Sequence, residues 1–103
     1  MPAVDAVFSA LADPTRRSLI EMLASGGSST ATSLASGLPV SRQAIAKHLC
    51  ALRDAELVSA ERVGRETRYT LEAAPLTDAA RWMAEVGGDW DRRLAALGRM
   101  LAS

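Results

Sequence analysis

The sequence predicts a mainly α-helical chain with one small β-hairpin. Over most of its length, apolar residues recur at spacings of three and four, which is the pattern of amphipathic helices. Between Val58 and Leu71 the spacing changes to two, which indicates paired strands. Alanine and leucine supply much of the apolar material, and the aromatic residues are only two Trp, one Tyr and one Phe. This composition also favours helices.

Composition and charge exclude several functional classes. Twelve basic and twelve acidic residues give a formal net charge of zero, which argues against a generic polyanion binder. The middle of the chain is nevertheless weakly basic, because 41–70 holds six Lys/Arg against four Asp/Glu. That distribution fits contact with nucleic acid through one edge. One His and one Cys, without a Gly-rich phosphate loop or paired carboxylates, offer no catalytic constellation, so an enzyme is not expected.

The sequence also indicates where the protein works. Its single cysteine cannot form an internal disulfide, and no apolar stretch approaches the ~20 residues that span a bilayer. No basic and apolar leader opens the sequence. We therefore expect a cytoplasmic protein with no membrane association.

Two short helices are predicted first. The apolar positions of the first are Val4, Val7, Phe8 and Leu11. Asp13 suits the N-cap of the second helix, and Pro14 suits its first position. This second helix is expected to end at Gly26-Gly27.

The stretch from Ser41 to Val58 predicts one longer helix with two unlike faces. Ser41 can cap its first turn. An apolar stripe follows at Ile45, Leu49 and Leu52. The opposite face carries Gln43, Ala46, Lys47 and Cys50, flanked by Arg42 and Arg53. The first thirteen residues of this helix hold three basic residues and no acidic one, which suggests a surface for phosphates and base edges. The alternative is a solvated face with a chance excess of basic residues.

A short helix is expected just before this one, from about Thr32 to Ser36. Gly37 suits its C-terminal turn, and Leu38-Pro39-Val40 links it to the Ser41 helix. Two helices joined by about four residues that include Gly, the second with a basic outer face, form a helix-turn-helix.

A two-stranded hairpin with a Gly-bearing turn at Val63–Glu66 is predicted next. Its alternating positions are Val58, Ala60, Tyr69 and Leu71. Arg62, Arg65 and Arg68 surround the tip, where they can reach a DNA backbone or minor groove. A hairpin directly after a helix-turn-helix is the wing of a winged-helix domain. Edge protection of the sheet is the alternative role for these arginines.

Pro75 opens a last helix that runs to the end of the sequence. Its apolar stripe comprises Leu76, Ala79, Met83, Val86, Trp90, Leu94, Leu97 and Leu101, with Trp82 on the same side. This stripe is longer than one small core requires, and surplus apolar surface usually marks a partner. The simplest partner is a second copy, with the N-terminal helix packed alongside. Gly87-Gly88 is expected to mark a bend or a close helix crossing.

Together these elements predict one domain over residues 1–103. A helix-turn-helix would cover about 30–57 and a wing about 58–71. Dimerisation helices would cover about 3–12 and 75–102. The predicted fold class is thus a winged helix-turn-helix with N- and C-terminal dimerisation helices.

The sequence resembles the ArsR family of bacterial winged-helix repressors. The similar stretches are LADPTRRSLIEML, LPVSRQAIAKHLCALRDAELV and VGRETRYTL. Paired tryptophans in RWMAEVGGDWDRRLAAL make it most similar to a branch of the family that does not bind metal. The resemblance implies a homodimer that binds a palindromic operator in double-stranded DNA and represses transcription, often of its own operon.

By matching position, the resemblance also implies particular site residues. DNA contacts are expected from Ser41, Arg42, Gln43, Lys47, His48, Arg62, Arg65 and Arg68. The expected dimer interface comes instead from the apolar stripes of the first and last helices, and comprises Val4, Val7, Phe8, Leu76, Trp82, Met83, Val86, Trp90, Leu94, Leu97 and Leu101.

The sequence departs from the family pattern at several places. Metal-sensing relatives use cysteines in the helix before the recognition helix, or carboxylates with histidines on the C-terminal helix. Thr30–Gly37 has neither Cys nor His, and the last helix has no His, so neither a metal nor a cofactor is expected. Glu56 replaces the usual Gly, so the Ser41 helix would have to end without a residue that adopts the left-handed conformation easily. Cys50 replaces a common Arg, which removes one phosphate contact.

Two other functions stay open at this point. A winged helix that has lost its affinity for DNA can bind proteins, although the basic helix face and the Arg-tipped wing argue against this. A redox-responsive repressor would act through Cys50, because Lys47 and Arg53 at three-residue spacing would favour the reactive thiolate. The simpler interpretation is that Cys50 is a small residue that lets the helix approach the groove.

Overall fold

The structure, a computed structural model, describes residues 2–102, with side chains from Val4 onward. The ends of the predicted domain, Met1 and Ser103, lie outside the described residues. In chain order the elements are α1 (Pro2–Leu11), α2 (Pro14–Gly26), β1 (Ser29–Thr30), α3 (Ala31–Ser36), α4 (Arg42–Asp54), β2 (Val58–Val63), β3 (Glu66–Leu71) and α5 (Ala74–Ala102). The predicted fold class, mainly α with a small β-hairpin in a winged helix-turn-helix, is confirmed.

Helix α2 begins and ends where its sequence signals predict. Asp13 accepts a hydrogen bond from the backbone N–H of Arg16 at 3.1 Å, and Pro14 occupies the first helical position. At the other end Gly27 has a φ of +74° and donates its N–H to the carbonyl of Leu23. A left-handed φ of this kind is open to glycine at little cost.

One apolar core joins the helices to the base of the hairpin. Its buried residues are Val4, Val7, Ala10, Leu19, Ile20, Leu23, Leu34, Ile45, Leu49, Leu52, Leu57, Val58 and Ala79. Removing a fully buried leucine from such a core costs about 2–5 kcal/mol. Three of these core residues, Ile45, Leu49 and Leu52, belong to α4. Their burial therefore fixes which side of that helix faces outward.

Helix α4 is shorter than predicted, because it ends at Asp54 and not at Val58. Glu56 adopts a left-handed φ of +61°. The N–H of Leu57 then bonds to the carbonyl of Leu52 at 2.9 Å, and the N–H of Glu56 to that of Arg53 at 2.9 Å. This is a Schellman motif with Glu in the usual glycine position. Burial of Leu52 and Leu57 holds the chain in this turn, so the helix ends, without the glycine that adopts this conformation easily, on a left-handed Glu56.

The predicted two-stranded hairpin is present as β2 and β3, and a short third strand that was not predicted extends the sheet to the order β1-β3-β2. In the hairpin, Val58 pairs with Leu71 and Val63 with Glu66. Gly64, at φ +63°, occupies the first position of the two-residue turn, where a primed turn needs glycine. Strand β1 consists of two residues only and adds to the outer edge of β3. Two residues show no alternation, which is why periodicity did not reveal this strand.

Helix α5 extends well beyond the body of the protein. The molecule measures 69 × 24 × 22 Å, with a Cα radius of gyration of 18.4 Å, whereas about 13 Å is typical of a compact chain of this length. Helix α1 packs against the first part of α5, where the rings of Phe8 and Trp82 meet edge to face at 5.7 Å. The helix continues through Gly87 and Gly88, and a side chain at Gly87 would contact nothing within the described chain. Of the two predicted explanations, a bend or a close helix crossing, a crossing by another helix of the same chain is therefore not found at Gly87 among the described residues.

Candidate nucleic-acid interface

The outward side of α4 carries the polar face that its sequence predicts. Ile45, Leu49 and Leu52 are fully buried, and this burial leaves the opposite side open to solvent. Exposed on that side are Arg42, Gln43, Ala46, Lys47 and Cys50. Ser41 caps the helix, because its Oγ accepts a hydrogen bond from the N–H of Ala44 at 3.1 Å. The Ser41 hydroxyl hydrogen remains available to a further acceptor such as a phosphate oxygen.

A groove of about 560 Å³ separates the first turns of α4 from the wing. Helix α4 contributes Arg42, Gln43 and Ala46 to its walls, and the wing contributes Arg62, Arg65, Glu66, Thr67 and Tyr69. Three hydroxyl-bearing residues, Thr30, Thr32 and Ser33, also line it. Basic, amide and hydroxyl groups around one concave surface are the donors that proteins direct to phosphates and base edges.

The hydroxyl residues of this groove were not among the predicted site residues. They belong to β1, α3 and the outer part of the wing. The run of Ser and Thr between Ser28 and Ser33 was the available sequence signal, but it reads equally well as a polar loop.

The predicted DNA contacts divide according to their partners within the chain. Lys47, Arg65 and Gln43 are exposed, and their side chains have no hydrogen-bond or ion-pair partner among residues 2–102. Arg42 donates from Nε to Thr32 Oγ1 at 3.0 Å, and Arg62 donates from Nε to the Gly64 carbonyl at 3.2 Å. Both arginines are exposed and retain free terminal N–H groups.

Arg68 differs from the other wing arginines because its guanidinium is committed within the chain. It donates from Nε to Ser28 Oγ at 3.1 Å, from Nη2 to the Ser28 carbonyl at 3.0 Å, and from Nη1 to Glu66 at 3.1 Å. Its side chain is only 36% exposed. The expectation that Arg68 contacts DNA is not supported by this arrangement, since its donors face oxygens of the protein.

His48 also points away from the exposed face of α4. Its side chain is 23% exposed, and its Nδ1 lies 3.9 Å from a carboxylate oxygen of Asp13. The backbone N–H of Arg16 lowers the pKa of Asp13, and the nearby charges of His48 and Arg16 contribute in the same direction. The position of His48 one residue after Lys47 turns it by about 100° toward α2. Its contact with DNA stays a prediction.

The apolar row of α5 is largely exposed. Trp82, Met83, Val86, Trp90, Leu94, Leu97 and Leu101 are between 39% and 78% exposed. Phe8 and Leu76 pack partly against the core. Val4 and Val7 are 4% and 0% exposed, so they are core residues of the chain itself and have to be removed from the expected interface.

Cys50, the single cysteine, is exposed on α4. Among residues 2–102, no three His, Cys, Asp or Glu side chains are grouped so that they could hold a metal ion. No helix in the described part of the chain is long and apolar enough to cross a membrane.

Comparison with known proteins gives consistent results. Residues 11–59 match a family described as a helix-turn-helix domain. The transcriptional repressor SdpR of Bacillus subtilis is 39% identical over 77 residues, which are 75% of this chain and 84% of SdpR. The HTH-type transcriptional regulator Rv2034 of Mycobacterium tuberculosis is 35% identical over 99 residues, which cover 96% of this chain and 89% of that protein. The solved structure of an ArsR-like transcriptional regulator from Rhodococcus sp. RHA1 superposes with a TM-score of 0.84 at 47% identity, covering 96% of this chain and 92% of the other.

Proposed function

This chain belongs to the ArsR family of winged helix-turn-helix transcriptional regulators, and on that basis we propose that it is a homodimeric repressor of a palindromic DNA operator. Regulators of this family bind DNA and are not enzymes. The likeness to a protein named as a repressor, SdpR, supports repression over activation. We place the protein in the cytoplasm with the chromosome, and include its own operon among the targets.

The observation that carries the proposal is the groove between α4 and the wing. A helix of 10–12 Å diameter fits a major groove about 12 Å wide. With α4 in the major groove, the first turn bearing Ser41, Arg42 and Gln43 would lead toward the base edges, and Lys47 would follow along its exposed face. Arg62 and Arg65 of the wing would reach the flanking backbone or minor groove.

The exposed row of α5 supports the homodimeric part of the proposal. Water-exposed Trp, Met, Val and Leu side chains along one projecting helix are costly to leave uncovered, because apolar burial contributes about 25 cal/mol per Å². The same row on a second copy is complementary by symmetry, which is the usual arrangement of a twofold dimer. Two copies would present two α4 helices to successive major grooves, about 34 Å apart.

The testing experiment is a gel shift with the full chain on DNA from upstream of its own gene and on a scrambled fragment, at about 50 and 200 mM salt. We expect preferential binding to the upstream fragment, with two chains per palindrome and a marked loss of affinity at higher salt. Equal affinity for both fragments would remove the operator-binding proposal. A complete lack of DNA binding would instead favour a protein-binding winged helix.

A further inference from the structure

Arg68 connects two parts of the chain that are 40 residues apart. Its guanidinium donates to both the side chain and the backbone carbonyl of Ser28, at 3.1 and 3.0 Å, and to Glu66 on the same strand. Three of the five N–H donors of the arginine are thus used on oxygens of the protein. A planar fork is suited to this task, because it holds two acceptors in fixed directions.

The segment that Arg68 holds leads directly into the helix-turn-helix. Ser28 precedes β1, and Thr30 of β1 pairs with Arg68 across the sheet. The hydroxyl of Thr30 also caps α3 by accepting from the N–H of Ser33 at 3.1 Å. Position and direction of α3 are thereby coupled to the wing.

Helix α3 is in turn connected to the first turn of α4. Thr32 accepts a hydrogen bond from Arg42 Nε at 3.0 Å. Hydrogen bonds from Arg68 to Ser28, the short chain segment through β1, and the hydrogen bond from Arg42 to Thr32 therefore connect the wing to the leading turn of α4. At one end of this connection, Thr30, Thr32, Ser33 and Arg42 line the groove of about 560 Å³, together with Gln43, Arg62 and Arg65 of the proposed DNA contacts. Arg68 and Ser28 lie outside that lining.

We propose that Arg68 is a positioning residue, which fixes the wing relative to α4 by clamping Ser28, and that it is not a phosphate ligand. This inference rests on the proposed function, because the surface being positioned is the proposed DNA-binding surface. Without the clamp, β1 keeps only its two ladder pairs with β3 and the cap that Thr30 provides to α3, and the wing can change its angle to α4. Arg65 at the tip serves as the comparison residue. Its side chain has no partner among residues 2–102, so it is available to contact a phosphate directly.

The test compares Arg68→Lys and Arg68→Gln with Arg65→Lys and Arg65→Gln. Lysine keeps the charge that a phosphate requires but cannot span Ser28 and Glu66 as a planar fork. We expect both Arg68 variants to weaken specific DNA binding by about tenfold, equivalent to about 1.4 kcal/mol, with an unchanged salt slope. Arg65→Gln should reduce the slope by about 0.9, as the loss of one phosphate contact does, and Arg65→Lys should keep it.

A second measurement needs no DNA. Amide hydrogen exchange at β1 in the free protein should become faster in both Arg68 variants and in Ser28→Ala, and should be unchanged in Arg65→Gln. Ser28→Ala removes one hydroxyl at an exposed site, so it carries this test even if an Arg68 variant folds poorly. In the Ser28→Ala background, Arg68→Gln should have a smaller additional effect than in the wild type.

Two results would overturn the positioning role. One is a salt slope that falls by about 0.9 in Arg68→Gln and recovers in Arg68→Lys, which would identify a phosphate contact. The other is unchanged exchange at β1 in all three clamp variants. Failure of the wild type to bind DNA would count against the proposed function alone, because the exchange experiment does not depend on it.

Discussion

Lys47 and Arg65 have no partner among residues 2–102, while Arg42, Arg62 and Arg68 each donate to an oxygen of the protein. A cation without an internal partner can meet a phosphate without first breaking a contact. A cation that is already bonded gains less, because one hydrogen bond is exchanged for another. Lys47 and Arg65 should therefore contribute most to affinity for the DNA backbone, a ranking that the sequence alone does not provide.

We predict that Lys47→Ala and Arg65→Ala each weaken binding to specific and random DNA by similar factors. Each variant loses one phosphate contact, so the slope of log affinity against log salt should fall in magnitude by about 0.9. Titrations at four or more salt concentrations provide the measurement. An unchanged slope in either variant would mean that its cation does not contact a phosphate.

Gln43→Ala should behave differently, because an amide can pair with two groups of one adenine in the major groove. We predict a loss of about 1–3 kcal/mol of discrimination at one operator position, with little change on random DNA and no change in salt slope. Binding to a set of operators substituted one base pair at a time would locate this position. Equal loss on specific and random DNA would contradict the base-reading role.

At the scale of elements, the end of α4 depends on a residue in a costly conformation. Glu56 holds a left-handed φ of +61°, which costs a non-glycine residue about 1–2 kcal/mol. Two backbone hydrogen bonds, to the carbonyls of Leu52 and Arg53, offset this cost. The turn matters for the proposed function because the chain leaves α4, the proposed DNA-reading helix, at this turn and enters the wing.

Glu56→Gly should stabilise the protein by about 0.5–1 kcal/mol, because relief of the strain exceeds the extra chain entropy of glycine. Ala55→Gly is the matched control: its φ of −83° is ordinary, so glycine there should destabilise by a similar amount. Urea unfolding monitored by circular dichroism gives both values. A loss of stability in Glu56→Gly would mean that the glutamate side chain contributes more than its backbone strain costs.

The sequence predicted those elements whose signals are local. Asp13 and Ser41 cap helices where expected, and Gly64 occupies the hairpin turn. Strand β1 was not predicted because two residues are too few to show a periodicity. The end of α4 was predicted at the wrong residue because it is determined by burial of Leu57, which is a tertiary effect. The inward direction of His48 and the clamp by Arg68 depend on partners 35 and 40 residues away in sequence, which single-sequence patterns do not reveal.

At the scale of the whole molecule, the elongated shape and the exposed apolar surface of α5 both support the proposal that a second copy packs against this helix. A chain that extends 69 Å in one direction and about 22–24 Å in the others has a projecting part, and that part carries the exposed row from Trp82 to Leu101. The elongated form makes sense if a second copy covers this row. Dimerisation would then be needed to place two α4 helices on one operator.

Leu97→Asp tests whether the exposed row of α5 is the dimer interface. Leu97 is suitable because it is 51% exposed and lies on the projecting part of α5, away from the core of the chain. Replacing this leucine by a charged residue removes the stabilisation that burial of its side chain gives to the dimer, about 1.5–3 kcal/mol. In a twofold dimer the replacement occurs in both subunits. We therefore predict a dimer weakened by about 100-fold or more, a monomer at micromolar concentration in sedimentation, and a parallel loss of operator affinity. Ala95→Asp is the matched control, since it adds the same charge to the same helix on a side that the helical period turns away from the row. It should leave a dimer. If Leu97→Asp sedimented as the wild type does, the α5 row would not be the dimer interface, and the exposed apolar side chains would need a different partner.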